Sequence, residues 1–174
     1  PDSVTKIGSN AFELAATLTS IPLDKVKIIE NNAFTGCTGI NSISLDSAQT
    51  IGKMAFANCS GLTSVTLGSA ENQVELVGKQ AFGKCAALKS MAFTNVKELG
   101  EESFTMSGLT SVDLTGVEAV GKKAFSGDTN LASVTFGNTA IQIGNQAFSN
   151  SGLIKVSVPG TASLDNYAFY NCKQ

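Results

Sequence analysis

Hydrophobic and polar positions repeat along this chain with a period of about 22 residues, in the range of known repeat proteins. In each copy an aliphatic residue is followed five positions later by a phenylalanine, as in Ile51 and Phe56. The phenylalanines of the successive copies are Phe12, Phe34, Phe56, Phe82, Phe104, Phe125, Phe148 and Phe169. Their spacing is nearly constant, except for a longer step from Phe56 to Phe82. This regularity indicates a repeat protein whose units stack on one another.

A second half-unit follows each phenylalanine except the last and has the pattern Leu-x-x-Val-x-Leu, as in Leu62, Val65 and Leu67. The other copies are Leu18/Ile21/Leu23, Ile40/Ile43/Leu45, Leu88/Met91/Phe93, Leu109/Val112/Leu114, Leu131/Val134/Phe136 and Leu153/Val156/Val158. The alternation of apolar and polar positions predicts a short strand with one buried face. Such a strand cannot bury that face alone, so we expect the copies to stack as a parallel sheet.

The first half-unit is an aliphatic residue, often followed by glycine, and then x-x-Ala-Phe, with Ser103 in place of the alanine in the fifth copy. It predicts the opposite side of each coil. We expect it to form a short second strand and one helical or 3₁₀ turn. Glycine after the aliphatic residue permits a tight bend or a close approach of neighbouring coils. Phenylalanine fills the interior, and the preceding alanine leaves room for the ring.

These motifs resemble the BspA-like leucine-rich repeat (LRR) family of surface proteins. The copies at residues 4–12 (Val-Thr-Lys-Ile-Gly-Ser-Asn-Ala-Phe) and 164–172 (Leu-Asp-Asn-Tyr-Ala-Phe-Tyr-Asn-Cys) carry the resemblance best, and it covers the whole chain. The repeat length fits the leucine-rich repeat range, but the usual asparagine ladder after the strand is missing. The expected fold is a strand-rich α/β-type solenoid with little helix. The Leu-x-x-Val-x-Leu sheet lines its concave face, and the second strand and turn form the convex side.

We interpret residues 1–174 as a single LRR solenoid of about eight repeats, each of roughly 21–26 residues. Both termini fall inside a repeat, so we expect a fragment of a longer array. The longer step between Phe56 and Phe82 is an insertion within residues 68–75. It predicts a longer turn on one side of the solenoid, with a ligand-contacting loop as the alternative.

Composition excludes several classes of partner. The 12 basic residues are all lysine, and the net charge is −2, so a nucleic-acid or anionic-membrane partner is not expected. Arginine, the side chain best suited to bidentate phosphate and guanine contacts, is absent. No apolar stretch approaches the length that a membrane-spanning helix needs. We therefore expect no membrane insertion within this segment.

The cysteines follow the repeat. Cys37, Cys59, Cys85 and Cys172 each lie three residues after a repeat phenylalanine, and other copies have Ala15, Ser107, Asp128 or Ser151 there. No Cys-x-x-Cys motif and no histidine exist, so we expect no zinc, no other cofactor and no activated thiol. Buried free thiols are expected, with a disulfide between adjacent coils as the open alternative. The carboxylates are scattered over different repeat positions, which favours a chain that is not an enzyme.

The candidate site is a double column of small polar residues on the outward face of the Leu-x-x-Val-x-Leu sheet. It comprises Ser42, Ser44, Ser64, Thr66, Ser90, Ser111, Asp113, Ser133, Thr135, Lys155 and Ser157. One hypothesis is a groove for an extended peptide or a glycan. The alternative is that the serines only satisfy local hydrogen bonds or keep the inner curve uncrowded.

The family resemblance implies a non-enzymatic adhesion module of a cell-surface or secreted protein. Its partner would be a host, matrix or other cell-surface protein, or a glycan, bound by the concave face. Because the columns lack aromatic residues and arginine, each contact should be weak and binding should depend on multivalency. The alternative function is a structural spacer that presents another domain.

Overall fold

The fold was examined in a computed structural model, which describes residues 4–67 and 74–173. All strands formed within these ranges are short. In chain order they are β1 (Lys6–Ile7), β2 (Ile28–Ile29), β3 (Ser42–Leu45), β4 (Thr50–Ile51), β5 (Ser64–Leu67), β6 (Leu76–Val77), β7 (Ser90–Met91), β8 (Glu98–Leu99), β9 (Ser111–Leu114), β10 (Ala119–Val120), β11 (Ser133–Phe136), β12 (Gln142–Ile143) and β13 (Ser163–Leu164). No helix is assigned in the described part of the chain.

The aliphatic-Gly half-units form one parallel sheet of two-residue strands. Its order is β1-β2-β4-β6-β8-β10-β12-β13, and neighbours pair in register, as Ile7 does with Ile29. The second residue of seven of these strands is buried, whereas Leu164 in β13 is exposed. The predicted second strand is therefore present in every repeat, and the chain is a parallel β-solenoid.

The Leu-x-x-Val-x-Leu half-units form two shorter parallel sheets, β3-β5-β7 and β9-β11. Their registers align the polar positions, so that Ser42 lies opposite Ser64 and Ser111 lies opposite Ser133. The strands expected in the first and last copies, within residues 18–23 and 153–158, are not formed. Both segments contain or adjoin a proline, Pro22 or Pro159, which has no N–H to donate to a ladder.

The segment around each repeat phenylalanine differs from the expected helical or 3₁₀ turn and is a run of β-turns. In the first copy the N–H groups of Ala11 and Ala15 donate to the carbonyls of Gly8 and Phe12. Two positions per copy, two residues before and two after the phenylalanine, have left-handed φ. The φ angles are 53° to 76° at Asn10, Leu14, Asn32, Gly36, Met54, Asn58, Gln80, Lys84, Glu102, Met106, Lys123, Gly127, Gln146, Asn150, Tyr167 and Asn171.

These turns bond directly to the turns of the next coil. In the first copy the N–H groups of Asn10, Phe12 and Leu14 donate to carbonyls of the second. The same three bonds recur at every junction between successive phenylalanines, with N···O distances of 2.7–3.1 Å. We call this set of bonds the turn ladder. It pairs backbone groups that would otherwise be left unsatisfied beside the core.

The repeat phenylalanines form a continuous stack through the core. Neighbouring rings, from Phe12 to Phe169, are nearly parallel with centroids 5.1–5.4 Å apart. Phe93 and Phe136, which end two of the Leu-x-x-Val-x-Leu copies, meet this stack edge-on. Offset-parallel and edge-on geometries are both favourable for aromatic rings, so the ladder of rings is well packed.

The glycine after the aliphatic residue allows close contact between coils, as expected. A Cβ at Gly78 would lie 2.5 Å from the carbonyl oxygen of Ile51 in the preceding coil. Most of the insertion expected as a loop lies outside the described residues. Where the chain resumes, Val74 is buried and the Glu75 carbonyl accepts the N–H groups of Lys97 and Glu98.

Candidate ligand-binding face

The candidate residues lie on one side of the solenoid, which we call the strand face: the outward residues of β3, β5, β7, β9 and β11, together with Ala92, which follows β7. The first column is Ser42, Ser64, Ser90, Ser111 and Ser133, and the second is Ser44, Thr66, Ala92, Asp113 and Thr135. All are exposed except Ser44, which is half-buried. Lys155 and Ser157 are exposed but belong to the last copy, which forms no strand, so they do not extend the register of β9 and β11.

The hydroxyl groups of the strand face are open to solvent. Among the described residues, the first-column serines and Thr135 make no side-chain hydrogen bond to another protein atom. Neighbouring positions behave differently: Thr63 and Thr110 donate through Oγ1 to the carbonyls of Asn41 and Lys89 in the preceding coil. The columns therefore offer unengaged donors and acceptors to a ligand.

Asp113 is the one acidic residue of the two columns. Its Oδ1 accepts hydrogen bonds from the backbone N–H of Thr115 at 3.0 Å and from the Thr115 hydroxyl. These bonds lower the pKa of the Asp113 carboxyl below its ordinary value, so it is ionised at neutral pH. Within the described residues, Oδ2 makes no hydrogen bond or ion pair, and the carboxylate is exposed.

A recess lies next to Asp113, where the strand face is interrupted. β7 has only two residues, and β7 and β9 are not joined by a ladder. The turn that follows has the Val96 N–H bonded to the Phe93 carbonyl, as the turns after β3 and β9 have at Ala48 and Val117, but here Asn95 has a φ of 67°. A cavity of about 310 Å³ lies here and is lined by Ala92, Phe93, Thr94, Asn95, Asp113, Thr115 and Gly116. We call this cavity the ladder-break recess.

Charged pairs are concentrated on the side of the two-residue strands. Lys6, Lys79 and Lys97 form ion pairs with Glu30, Glu101 and Glu118 of the following coil, at 2.5–2.9 Å. The carboxylate of Glu30 also accepts hydrogen bonds from the N–H and hydroxyl of Ser9. Each exposed ion pair of this kind contributes little to the stability of the fold. We assign no binding site to these pairs.

The cysteines are free and take part in the repeat. The thiols of Cys37, Cys59 and Cys85 donate to the carbonyls of Phe12, Phe34 and Phe56, each in the preceding coil, at 3.0–3.1 Å. Burial raises the pKa of the Cys59 thiol to about 12 and raises that of Cys85 as well. Protonated, hydrogen-bonded thiols are poor nucleophiles, which supports a structural role.

Asp128 occupies the same position of its repeat and is fully buried. Its carboxyl oxygens accept the backbone N–H and the hydroxyl of Ser107 in the preceding coil. Burial outweighs these bonds and raises the pKa of Asp128 from 3.8 to about 8. A carboxyl here, where the other coils have a thiol, a hydroxyl or, at Ala15, a methyl group, is the main departure from the pattern of the core.

No group of three or more metal-ligating side chains is found in residues 4–67 and 74–173. The part of the chain that the structure describes has no helix long and apolar enough to cross a membrane. A recess of about 730 Å³ at the last coil is lined by apolar residues such as Leu153, Val156 and Phe169 and by Asn171, Cys172 and Lys173.

Sequence reasoning missed the turn ladder, Asn95 and the role of Asp128. A signal for the ladder was present, because Asn10, Asn32, Asn58, Asn150 and Asn171 and two glycines lie at its left-handed positions. Asparagine and glycine are the residues that adopt this conformation most readily. Asn95 also has positive φ, and its buried Nδ2 has no hydrogen-bond partner among the described residues.

The repeat geometry can be compared with known proteins. The family model described as BspA type leucine-rich repeat region matches the chain in six copies, over residues 1–75 and 69–174. The chain belongs to this family. The observed solenoid, its two-residue strands and its phenylalanine stack therefore describe a BspA-type leucine-rich repeat array. No protein of curated function matches the sequence.

Solved structures agree with this assignment. A leucine-rich repeat protein from Bacteroides ovatus is 27% identical with a TM-score of 0.74, over 83% of this chain and 39% of that one. A leucine rich cell surface protein from Faecalibacterium prausnitzii is 29% identical with a TM-score of 0.67, over 80% of this chain and 38% of that one. The chain thus spans about two fifths of either protein.

The leucine-rich repeat protein of Treponema pallidum, TpLRR, shares the fold at 23% identity and a TM-score of 0.53. The alignment covers 72% of this chain and 70% of that one.

Proposed function

We propose that this array is a non-enzymatic binding module of a cell-surface protein and that its strand face contacts the partner. The observation that carries the proposal is the column of exposed serine hydroxyls in register along β3–β5–β7 and β9–β11, which make no hydrogen bond to another protein atom among the described residues. The thiols and the buried carboxyl, by contrast, are all engaged with the core. Chemistry that remains available for a ligand is therefore concentrated on the strand face.

A surface location is supported by the similarity to the Faecalibacterium protein, which is named a leucine rich cell surface protein. The partner we propose is a host, matrix or other cell-surface protein that presents an extended segment, with a glycan as the alternative ligand. Strands about 4.8 Å apart present hydroxyls at regular intervals, which suits a polymer with its own regular repeat of polar groups. Each contact is weak, so several repeats act together.

The test is binding of the array to a surface coated with reconstituted basement-membrane extract. The double variant Ser64→Arg and Thr66→Arg places two bulky cations at the centre of the strand face, and we expect at least a tenfold loss of affinity, or about 1.4 kcal/mol. The matched control is Thr50→Arg and Gln142→Arg, which adds the same charge to exposed positions of β4 and β12. The proposal is wrong if the two double variants bind equally well.

The regular stack also supports the second candidate, a rigid spacer. Three turn-ladder bonds at every junction and an unbroken phenylalanine stack make the array stiff along its axis. A spacer would tolerate the Ser64→Arg and Thr66→Arg pair. It would respond instead to deletion of whole repeats, with an effect on adhesion that follows the number of coils removed.

A further inference from the structure

We propose that the ladder-break recess receives one basic side chain, lysine or arginine, from an extended segment of the partner protein. This inference rests on the proposed function in one respect, the protein nature of the ligand. It adds the chemical class of the side chain that is recognised and the coil at which recognition occurs. The residues that carry it are Ala92, Asp113 and Thr115.

Charge complementarity is the first argument. Asp113 is the one carboxylate of the two columns, and the two hydrogen bonds that Thr115 donates to Oδ1 further favour its ionised form. No lysine forms an ion pair with it among the described residues, although Lys6, Lys79 and Lys97 are all paired elsewhere. Its Oδ2 is left to accept a charge-assisted hydrogen bond, which is stronger than a neutral one.

The shape of the recess is the second argument. Ala92 is the smallest residue of the second column, and it lines the cavity together with Asp113 and Thr115. The wall of the cavity of about 310 Å³ is mostly apolar. Lysine and arginine lay their aliphatic stems along apolar surface and keep the charged group in contact with polar atoms. A basic side chain therefore matches both the apolar wall and the carboxylate.

The position of Asp113 gives the recess a function of its own. The rest of the two columns is neutral and nearly uniform from coil to coil, so a bound strand or glycan could shift by one coil at little cost. A single carboxylate distinguishes one coil from the others. An ion pair there would fix the register of the bound segment, in the way that charged groups provide specificity at interfaces. One carboxylate is too few for a divalent cation, which requires several oxygen ligands.

The experiment uses the array itself and small probes of defined charge. N-acetyl-arginine methylamide is titrated into ¹⁵N-labelled protein, and the amide signals of Ala92, Asp113 and Thr115 are followed by NMR. N-acetyl-citrulline methylamide, which has nearly the same shape without the charge, is the matched probe. We expect saturable shifts with the arginine probe and affinity at least about fivefold lower for the citrulline probe.

Two variants locate the binding. Asp113→Asn removes the charge, and Ala92→Leu fills the recess while leaving the carboxylate in place, so each is expected to abolish the shifts caused by the arginine probe. Asp46→Asn, at an exposed carboxylate in the turn after β3, is the control and should bind like the parent chain. Thermal unfolding by circular dichroism shows that each variant is folded.

Equal shifts with both probes, or binding retained in Asp113→Asn, would overturn the proposal. Saturable binding of a neutral disaccharide such as lactose at these amides, with no binding of the arginine probe, would also overturn it and assign the recess to a sugar. The result is separable from the proposed function. If the arginine probe binds but Ser64→Arg and Thr66→Arg leave matrix binding unchanged, the proposal for the recess is supported and the proposed function is wrong. If these substitutions weaken matrix binding but the arginine probe does not bind, only the proposal for the recess is wrong.

Discussion

One side of the solenoid carries the turn ladder and the phenylalanine stack, and we call it the turn side. The turn side and the strand face are built from the same repeats but are bonded differently. On the turn side, three backbone hydrogen bonds recur at every junction, and the phenylalanine rings stack without a gap. On the strand face, the sheet is interrupted between β7 and β9, and the first and last copies form no strand. The fold is therefore held mainly by the turn side, which leaves the strand face free to vary.

The largest expected effect comes from breaking the turn side at its core. Phe56 is fully buried between Phe34 and Phe82, with ring centroids 5.1 and 5.4 Å away. Phe56→Ala should lower the free energy of unfolding by about 3–5 kcal/mol. Thr66→Ala on the strand face should change it by less than about 0.5 kcal/mol. Urea unfolding measures both, and similar losses in the two variants would contradict the comparison.

The next effect concerns Asp128, the buried carboxyl on the turn side. Its pKa in the folded protein is about 8, against an ordinary value of 3.8, so the folded state binds its proton more tightly than the unfolded chain. Its contribution to the free energy of unfolding is fully present below the ordinary pKa of 3.8. The contribution declines as the pH rises and is lost once the pH has passed about 8. We expect the free energy of unfolding to fall by about 2 kcal/mol or more between pH 5 and 8.

Asp128→Ser removes this titration and restores a hydroxyl of the kind found at Ser107 and Ser151. The variant should show a nearly flat stability profile between pH 5 and 8. Asp113 on the strand face has a lowered pKa, so its contribution is lost only as the pH falls below 3.8. A parent profile as flat as that of Asp128→Ser would show that the buried carboxyl does not titrate as described.

A smaller effect on stability is expected from substitutions at the left-handed positions of the turn ladder. Lys84 is exposed, has φ 60°, and its N–H donates to the Thr105 carbonyl of the next coil. Lys84→Val, a β-branched residue, should be less stable than Lys84→Gly by about 1–2 kcal/mol. Thermal unfolding of the two variants measures the difference. Equal stability would mean that the conformation at Lys84 is not maintained in solution.

The smallest effect is expected for charge removal on the strand face. Asp113→Asn keeps the shape of the side chain and loses only charge-assisted bonds at an exposed position, so the free energy of unfolding should change by less than about 0.5 kcal/mol. Binding of the arginine probe, by contrast, should be lost. A large loss of stability in Asp113→Asn would place this residue with the architecture instead of the ligand-binding face.

Periodicity was sufficient to predict the solenoid, the two kinds of strand and the buried side chains. A residue that recurs once in every repeat, such as Phe56, has the same buried environment in the six inner coils, so each copy supports the assignment of the others. The hydroxyl columns followed from the same logic, because residues that alternate with the inward-facing Val65 and Leu67 must face outward. Their exposure agrees with this, while their role in binding stays a prediction.

Features that differ between coils could not be predicted in the same way. The break between β7 and β9 and the positive φ of the nearby Asn95 occur in one coil, and no repeat pattern specifies them. The turn ladder depends on the left-handed backbone conformation, which residues as different as Leu14 and Lys84 adopt. The raised pKa of Asp128 depends on its burial between coils, and the cysteines at the equivalent positions suggested only a small side chain.

Native-state hydrogen exchange of the array tests most directly the claim that the turn side holds the fold. Peptides that span residues 78–86 and 100–108 contain turn-ladder amides, and peptides that span residues 90–95 and 109–115 contain the strand face at the ladder break. We predict that the turn-ladder amides exchange only by global unfolding, whereas the amides at the ladder break exchange by local opening, at least about tenfold faster. Equal protection, or slower exchange at the ladder break, would contradict the account.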